Sequence, residues 1–317
     1  MRIDCVDDYG AYLQFGTGTH GNALSQVVGP YRIQHVEYSL AAVLTNKNQQ
    51  GAYRGFGAEV SNWVLERLVD HAAHDLGMDR VEIRRHNLIA ADQFPYRTPT
   101  GNIYDSGNYQ GVLERILKDF DYDYWVAERE KGRAEGRHIG IGVVASQERS
   151  VFSSTEFWFW FDDPQFTPTS SPESASLQID PTGQIVVTLH SQSMWGNSPE
   201  TVVSMVVAEE FDVDPSTVVV TYADSQHALP GTGPGGSRYT VMVSGAVAGA
   251  AAQMKEKIRR IASDKLEVAE DDLEFRAGGV GVKGAPDKQL SLGDIAMTAY
   301  MFKLDLPPDM ESGLATK

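Results

Sequence analysis

The chain has 317 residues, 42% of them hydrophobic, which is room for about two packed domains and too apolar a composition for a disordered chain. Its 43 acidic and 27 basic residues leave a net charge of −16, which repels nucleic-acid phosphate, and Arg84, Arg85 and His86 are too short a cluster to offset it. The single cysteine, Cys5, excludes an intrachain disulfide, a thiolate zinc site and a cysteine-ligated iron–sulfur cluster within this chain, and the lack of a leader or of an apolar run of ~18 residues gives the expectation of a soluble, cytoplasmic protein with no membrane span.

In chain order, residues 2–16 and 33–44 read as strands, the second because Val36, Tyr38, Leu40, Ala42 and Leu44 alternate with polar neighbours. Residues 58–76 predict a helix, with Val60, Val64, Leu68 and Ala72 at four-residue steps as its apolar face and Gly77 as its stop. A second helix is expected over 109–131. The polar tract 132–137 carries two glycines and marks a boundary between domains at 1–135 and 136–317. The run Phe157-Trp158-Phe159-Trp160-Phe161 reads as a strand buried on both faces or at an interface, and 162–174 as a surface loop. Strands at 177–179 and 185–189 flank the turn Asp180-Pro181-Thr182-Gly183. A helix over 200–211, a strand over 217–222, a small-residue helix over 243–262 and strands at 273–276 and 280–282 follow. This alternation predicts an α+β fold of mixed layers.

Three glycine-bearing loops each precede a predicted helix. In Gly51-Ala52-Tyr53-Arg54-Gly55-Phe56-Gly57 the glycines allow close approach to a ligand, and the helix N-terminus offers N–H donors. Arg54 can grip an anion with two bonds and Phe56 can stack on a flat substrate; the same residues also suit a tight turn with an exposed arginine. Gly231-Thr232-Gly233-Pro234-Gly235-Gly236-Ser237-Arg238 matches G-x-G-x-x-G in form. Eight residues nevertheless separate it from Tyr222, and Glu256 stands inside a helix where a dinucleotide fold needs an acid ending a strand. A phosphate cradle of another kind, with Ser237 and Arg238 as ligands, fits better, and the Walker lysine is absent. In Trp195-Gly196-Asn197-Ser198-Pro199-Glu200, Ser198 suits an N-cap and Pro199 the first turn; a third grip on a polyanionic cofactor is the alternative. His71 and His74 stand three residues apart on the predicted helix and read as exposed or capping histidines rather than a metal site. Glu209-Glu210 and Glu270-Asp271-Asp272 read as solvated faces.

Taken in order, these residues resemble the molybdopterin-binding large subunit of the xanthine dehydrogenase and aldehyde oxidase family, the molybdenum hydroxylases. The likeness is strongest to subunits similar to carbon monoxide dehydrogenase. It rests on Ala52-Tyr53-Arg54-Gly55-Phe56-Gly57, Thr45-Asn46-Lys47, Glu66-Arg67-Leu68 with Asp70, and Arg84-Arg85-His86-Asn87-Leu88-Ile89. Pro95-Tyr96-Arg97-Thr98, Tyr104-Asp105-Ser106-Gly107, residues 231–238, Asp271-Asp272-Leu273-Glu274-Phe275 and Val282-Lys283-Gly284 extend it. The resemblance implies a molybdenum-cofactor-binding fold of two mixed α/β subdomains, incomplete at both ends: residues 1–135 as the second part of one and 136–317 as the first part of the next. It implies a molybdenum-pterin cofactor, molybdopterin or its cytosine dinucleotide form, with no metal ligand from a side chain. Tyr53, Arg54, Gly55 and Gly57 would lie beside it, Phe56 in the substrate pocket, and Gly235, Gly236, Ser237 and Arg238 on the pterin side. Asn197 stands where the family has glutamine.

The reaction so implied is oxidation of an aldehyde or N-heterocycle with water-derived oxygen, with FAD and [2Fe-2S] on partner chains or domains. Gly55 replaces the copper-binding cysteine of carbon monoxide oxidisers, and Asn22 the arginine of purine oxidisers, so neither substrate is implied. The family's general-base glutamate lies outside this sequence. The chain therefore reads as a segment or split subunit, inactive alone, whose partners are the remaining large-subunit segments, iron–sulfur and flavin subunits and a small-molecule substrate. The rival readings are a non-catalytic assembly subunit of the same fold, which the departures at Asn197, Ser198 and Pro199 favour, and a nicotinamide dehydrogenase using residues 231–236.

Overall fold

A parallel pair of strands opens the chain in the computed structural model, which describes residues 1–13, 18–148, 172–191, 196, 198–231 and 233–316. Strand β1 (Arg2–Asp8) pairs with β2 (Glu37–Val43) from Arg2↔Glu37 to Asp8↔Val43, and α1 (Gly18–Gln26) lies in the connection that parallel pairing requires. Both strands are shorter than the alternation suggests. Gly10 ends the first at φ 75°, with its Cα so close to Asn48 O that a Cβ would lie 2.2 Å away.

Helix α2 (Ala58–Leu76) has the expected bounds, and Gly77 closes it in the left-handed region with its N–H on Ala73 O and His74 O. Its inward face is not the expected one. Ser61, Leu65, Glu66 and Ala73 are buried, while Val60, Trp63 and Leu68 are exposed. The reason is an ion network. Arg84, on the unpredicted helix α3 (Arg80–Asn87), is fully buried and donates to Glu66 Oε2 (Nη2 at 2.6 Å, Nε at 3.0 Å) and to Asp70 Oδ1 (3.0 Å). Tyr31 donates its hydroxyl to Glu66 Oε1, and burial, with Glu66 beside it, pushes that phenol far up. A buried carboxylate and guanidinium are tolerable only when so paired, and pairing turns this face of α2 inward.

A short hairpin of β3 (Tyr96–Arg97) and β4 (Ile103–Tyr104) leads to α4 (Tyr109–Phe120) and α5 (Tyr122–Ala134). The single helix expected over 109–131 is thus two, because Asp121 sits at φ 55° between them. Leu113 and Leu117 of α4 join Tyr31, Leu65, Val81 and Leu88 in the core of this unit. The chain beyond the polar tract stays with it: Arg80 Nη1 donates to Ile141 O (2.6 Å), Ala145 N to Glu66 Oε2 (3.0 Å) and Tyr109 Oη to Gln147 Oε1 (2.8 Å). The described residues up to 148 form one compact unit and those from 172 the other. The aromatic run 157–161 and most of the loop expected over 162–174 lie outside the described residues.

The second unit starts with the expected hairpin, β5 (Ala175–Ile179) and β6 (Ile185–Leu189). Asp180 Oδ1 accepts from Thr182 N (2.8 Å) and Gln184 N (3.1 Å) to set the turn. Helix α6 (Pro199–Phe211) leads to β7 (Val219–Tyr222), parallel to β6, and α7 (Tyr239–Leu266) follows. Then come β8 (Leu273–Arg276), β9 (Gly279–Val282) and β10 (Ala285–Ser291) as an antiparallel sheet, α8 (Leu292–Met301), and β11 (Ala315–Thr316), which joins β5 to give the order β11-β5-β6-β7. Alternate residues Leu177, Ile179, Val187 and Leu189 of the sheet pack with Val203, Val207 and Phe211 of α6 and Val247, Met254 and Ile258 of α7. Phe211 meets Phe275 of β8 edge-on at 5.8 Å.

Candidate functional site

Each unit carries its own glycine loop. In the first, the turn before α2 is built on backbone that only glycine adopts freely: Gly55 has φ 89° and Gly57 φ 111°, with Phe56 between them at φ 21°. A Cβ on Gly57 would lie 2.3 Å from Thr19 O. Phe56 N donates to Tyr53 O (2.8 Å) and Ala58 N to Gly55 O (3.0 Å). Asn22 of α1, 3% exposed, donates Nδ2 to Gly55 O (3.0 Å) and Phe56 O (2.9 Å). Its own Oδ1 accepts from Gln26 Nε2 at 2.7 Å. The result is a rigid turn that leaves Tyr53 and Arg54 exposed and Phe56 half-buried. Glu59 Oε2 takes the Gly57 N–H (2.9 Å), so a carboxylate already stands at this helix end.

The second unit places its loops by topology. Because β6 and β7 run parallel, with Leu189 beside Tyr222, both carboxyl ends lie at one edge of the sheet, and the chain passes from them into α6 and α7. In mixed α/β layers that edge is where ligands gather. Tyr222 donates its hydroxyl to Glu200 in the first turn of α6, which holds the Glu200 carboxyl below its usual range. Tyr239, opening α7, donates to Ser191 O just beyond β6.

The loop before α7 is held from beneath. Arg238 is 2% exposed, and its guanidinium donates to Glu173 Oε1, which also accepts from Gly233 N (3.0 Å), while Ser191 Oγ donates to Glu173 Oε2. The Arg238 side chain therefore turns inward as a clamp. Gly233 (φ 81°) and Gly235 have open space where a Cβ would stand, Gly236 has φ 85°, and Ser237 is exposed at φ 55°.

The helix ends differ in a way that bears on ligands. Helices α3, α4 and α8 are closed by side-chain acceptors on Asp79, Asn108 and Ser291. Helices α2, α6 and α7, which follow the glycine loops, have no side-chain cap. Ser198, expected to cap α6, sits at φ 46° with no such bond, although Pro199 does occupy the first turn. Of the three, α7 alone has no acid in its first turn. It is also 28 residues long, and its N-terminus follows the Gly233–Ser237 loop directly. That donor set fits an acceptor-rich, anionic group.

Glu173 and Ser191 carry no motif, and only their contacts reveal them, as only contacts reveal the hold of Asn22 on the turn. Asn197, Thr232 and Trp195 lie outside the described residues. His71 and His74 are both exposed, and among the described residues no three His, Cys, Asp or Glu side chains are grouped to hold a metal. No helix is long and apolar enough to cross a membrane among the described residues.

Two family models, each described as a molybdopterin cofactor-binding domain, match residues 1–88 and 115–316. The gamma subunit of the 6-hydroxypseudooxynicotine dehydrogenase complex of Paenarthrobacter nicotinovorans is 31% identical, over 99% of this chain and 38% of its own. The carbon monoxide dehydrogenase large chain of Hydrogenophaga pseudoflava is 33% identical, over 99% of this chain and 39% of its own. The crystal structure of quinoline 2-oxidoreductase from Pseudomonas putida 86 matches with a TM-score of 0.88 at 28% identity, covering 99% of this chain and 40% of that one. The chain thus spans roughly two fifths of the length of the relatives it matches.

Proposed function

Because the chain belongs to the molybdopterin cofactor-binding domain family, we propose that its glycine loops hold a molybdenum-pterin cofactor in an oxidoreductase of the molybdenum hydroxylase type. The observation that carries this reading is the uncapped, acid-free start of α7 behind an open glycine loop. The backbone N–H groups of Gly235, Gly236 and Ser237 would receive the acceptor atoms and charge of the pterin side. Glu173 and Arg238 would keep that loop in shape. In the first unit Arg54 would supply positive charge beside the cofactor, with Tyr53, Gly55 and Gly57 forming the turn around it, and Phe56 would flank the substrate. Asn22 would hold both carbonyls of the turn away from a ligand. Asn197 would add an amide contact. Once bound, the cofactor would supply the redox chemistry that protein side chains lack.

The substrate class on this reading is an aldehyde or N-heterocycle, oxidised with oxygen from water. Names of the relatives include a quinoline oxidoreductase and a hydroxypseudooxynicotine dehydrogenase, which supports the heterocyclic side. Carbon monoxide is disfavoured, since Gly55 offers no sulfur. Electrons would leave to FAD and [2Fe-2S] groups on partner chains, and other large-subunit polypeptide would supply the general base, so the chain purified alone with cofactor should not turn over an aldehyde panel.

The test is metal and pterin content. The chain, co-expressed with the products of its neighbouring genes, should carry molybdenum and pterin. Gly235→Val, which fills open space on the loop, should lose most of both at unchanged circular dichroism. A wild-type complex without pterin would favour the non-catalytic assembly subunit instead.

A further inference from the structure

A second chemical grouping lies in the first unit, between β1 and α1. Cys5 and Asp7 stand two residues apart on one face of β1, with Tyr38 of β2 on the same face opposite Ile3. Helix α1 lays His20 across them. His20 Nε2 is 2.6 Å from Asp7 Oδ2, and Asp7 Oδ1 accepts from Gln50 Nε2 at 2.7 Å. With that nitrogen committed to the carboxylate, Nδ1 is the basic side of the ring. It faces Tyr38 Oη at 3.1 Å and Cys5 Sγ at 4.0 Å. The side chains of His20 and Asp7 are 13% and 15% exposed, and Cys5 is half-buried. Tyr9, just beyond β1, is 5% exposed, and its ring lies 6.2 Å from that of His20. Its buried hydroxyl has no hydrogen-bond partner among the described residues, and burial, with Asp7 nearby, pushes that phenol up. A buried phenolic donor left unused beside a thiol, an imidazole and a carboxylate marks room for an incoming acceptor.

We propose that Cys5 is a modification site for small hydroperoxides, with His20 as its base. His20 Nδ1 takes the thiol proton. The sulfur then attacks one peroxide oxygen, an S–O bond forms and the O–O bond breaks, and the departing oxygen takes the proton back from His20. The sulfur is oxidised by two electrons to a sulfenic acid and the peroxide is reduced to water or an alcohol. Tyr9, with its ring 6.2 Å from that of His20 and its hydroxyl unpartnered among the described residues, would offer a donor to the reacting oxygens. Burial pushes the Cys5 thiol up, so without a base it would stay protonated near neutral pH. A half-buried sulfur also admits hydrogen peroxide far more readily than a bulky disulfide. The titratable groups facing His20 are Cys5, Asp7 and Tyr9 from the first strand and its exit, and Tyr38 from β2; the described part of α1 brings no other.

Because the chain holds one cysteine, hydrogen peroxide followed by a cyclic diketone trap and intact mass reads Cys5 alone. The native full chain should be trapped at pH 7 at least about tenfold faster than the same chain in denaturant, the scale of general-base assistance. His20→Asn should remove that advantage and shift the rise in rate to the alkaline range where a thiol ionises unaided. A native chain trapped no faster than the denatured one, or a His20→Asn profile matching wild type, overturns the proposal. The native-against-denatured comparison needs no variant, so it decides even where His20→Asn misfolds. Cys5→Ser should abolish trapping.

Discussion

Asn22 shows how one amide can set a loop thirty residues away. It bonds both Gly55 O and Phe56 O, which would otherwise point outward from a turn already strained into the left-handed region. Asn22→Ala should cost about 1–3 kcal/mol in urea denaturation, since two carbonyls lose a buried donor. Gly57→Ala should cost at least as much, from a φ of 111° and a Cβ 2.3 Å from Thr19 O. The glycines of that turn can be picked out by reading the residues in order. Asn22 cannot, because nothing in its neighbours announces a partner 33 residues on. Arg238 makes the complementary point: its place beside Ser237 in the loop is legible from the sequence, whereas its pairing with the buried Glu173 is not.

Helix α8 illustrates what a single element contributes. Ser291 Oγ accepts from Asp294 N at 3.0 Å, and Asp294 Oδ2 accepts from Ser291 N at 3.2 Å, a reciprocal cap. The Ser291 hydroxyl and then its N–H hold the Asp294 carboxyl below its usual range. A carboxylate depressed on folding stabilises above its unfolded pKa and loses that effect as pH falls through the folded one. Asp294→Asn should therefore lower the thermal midpoint at pH 7, and the gap from wild type should close as pH drops from ~4 towards 2. Helix α2 carries a different lesson. Its length and its Gly77 stop follow from local residues, whereas the side that turns inward is set by Glu66 meeting Arg84 from another helix.

For the molecule as a whole, the two units have separate apolar cores, one around Leu65 and Leu113, the other around the β5–β7 sheet and α7. Arg84→Met strands the buried Glu66 carboxylate and should destabilise the first unit by about 3–5 kcal/mol. Hydrogen exchange should then show lost protection in α2 and α3 with protection in α7 unchanged. Among the described residues the buried charges Glu66–Arg84 and Glu173–Arg238 are paired, so they add nothing to the net charge of −16.

Glycine positions, hydrophobic alternation and turn chemistry were enough to place α2, the β5–β6 hairpin, α6, α7 and the order of the motifs, because each depends on residues adjacent in the chain. The inward face of α2, the contacts of residues 136–148 and the ion pair of Arg238 were decided by partners far along the chain. So was the meeting of Cys5, Asp7 and His20, which are brought together by a parallel strand pair and the helix between its strands. Desolvation is the common reason. A buried charge or amide goes wherever its partner is, and only the folded chain determines where that partner stands.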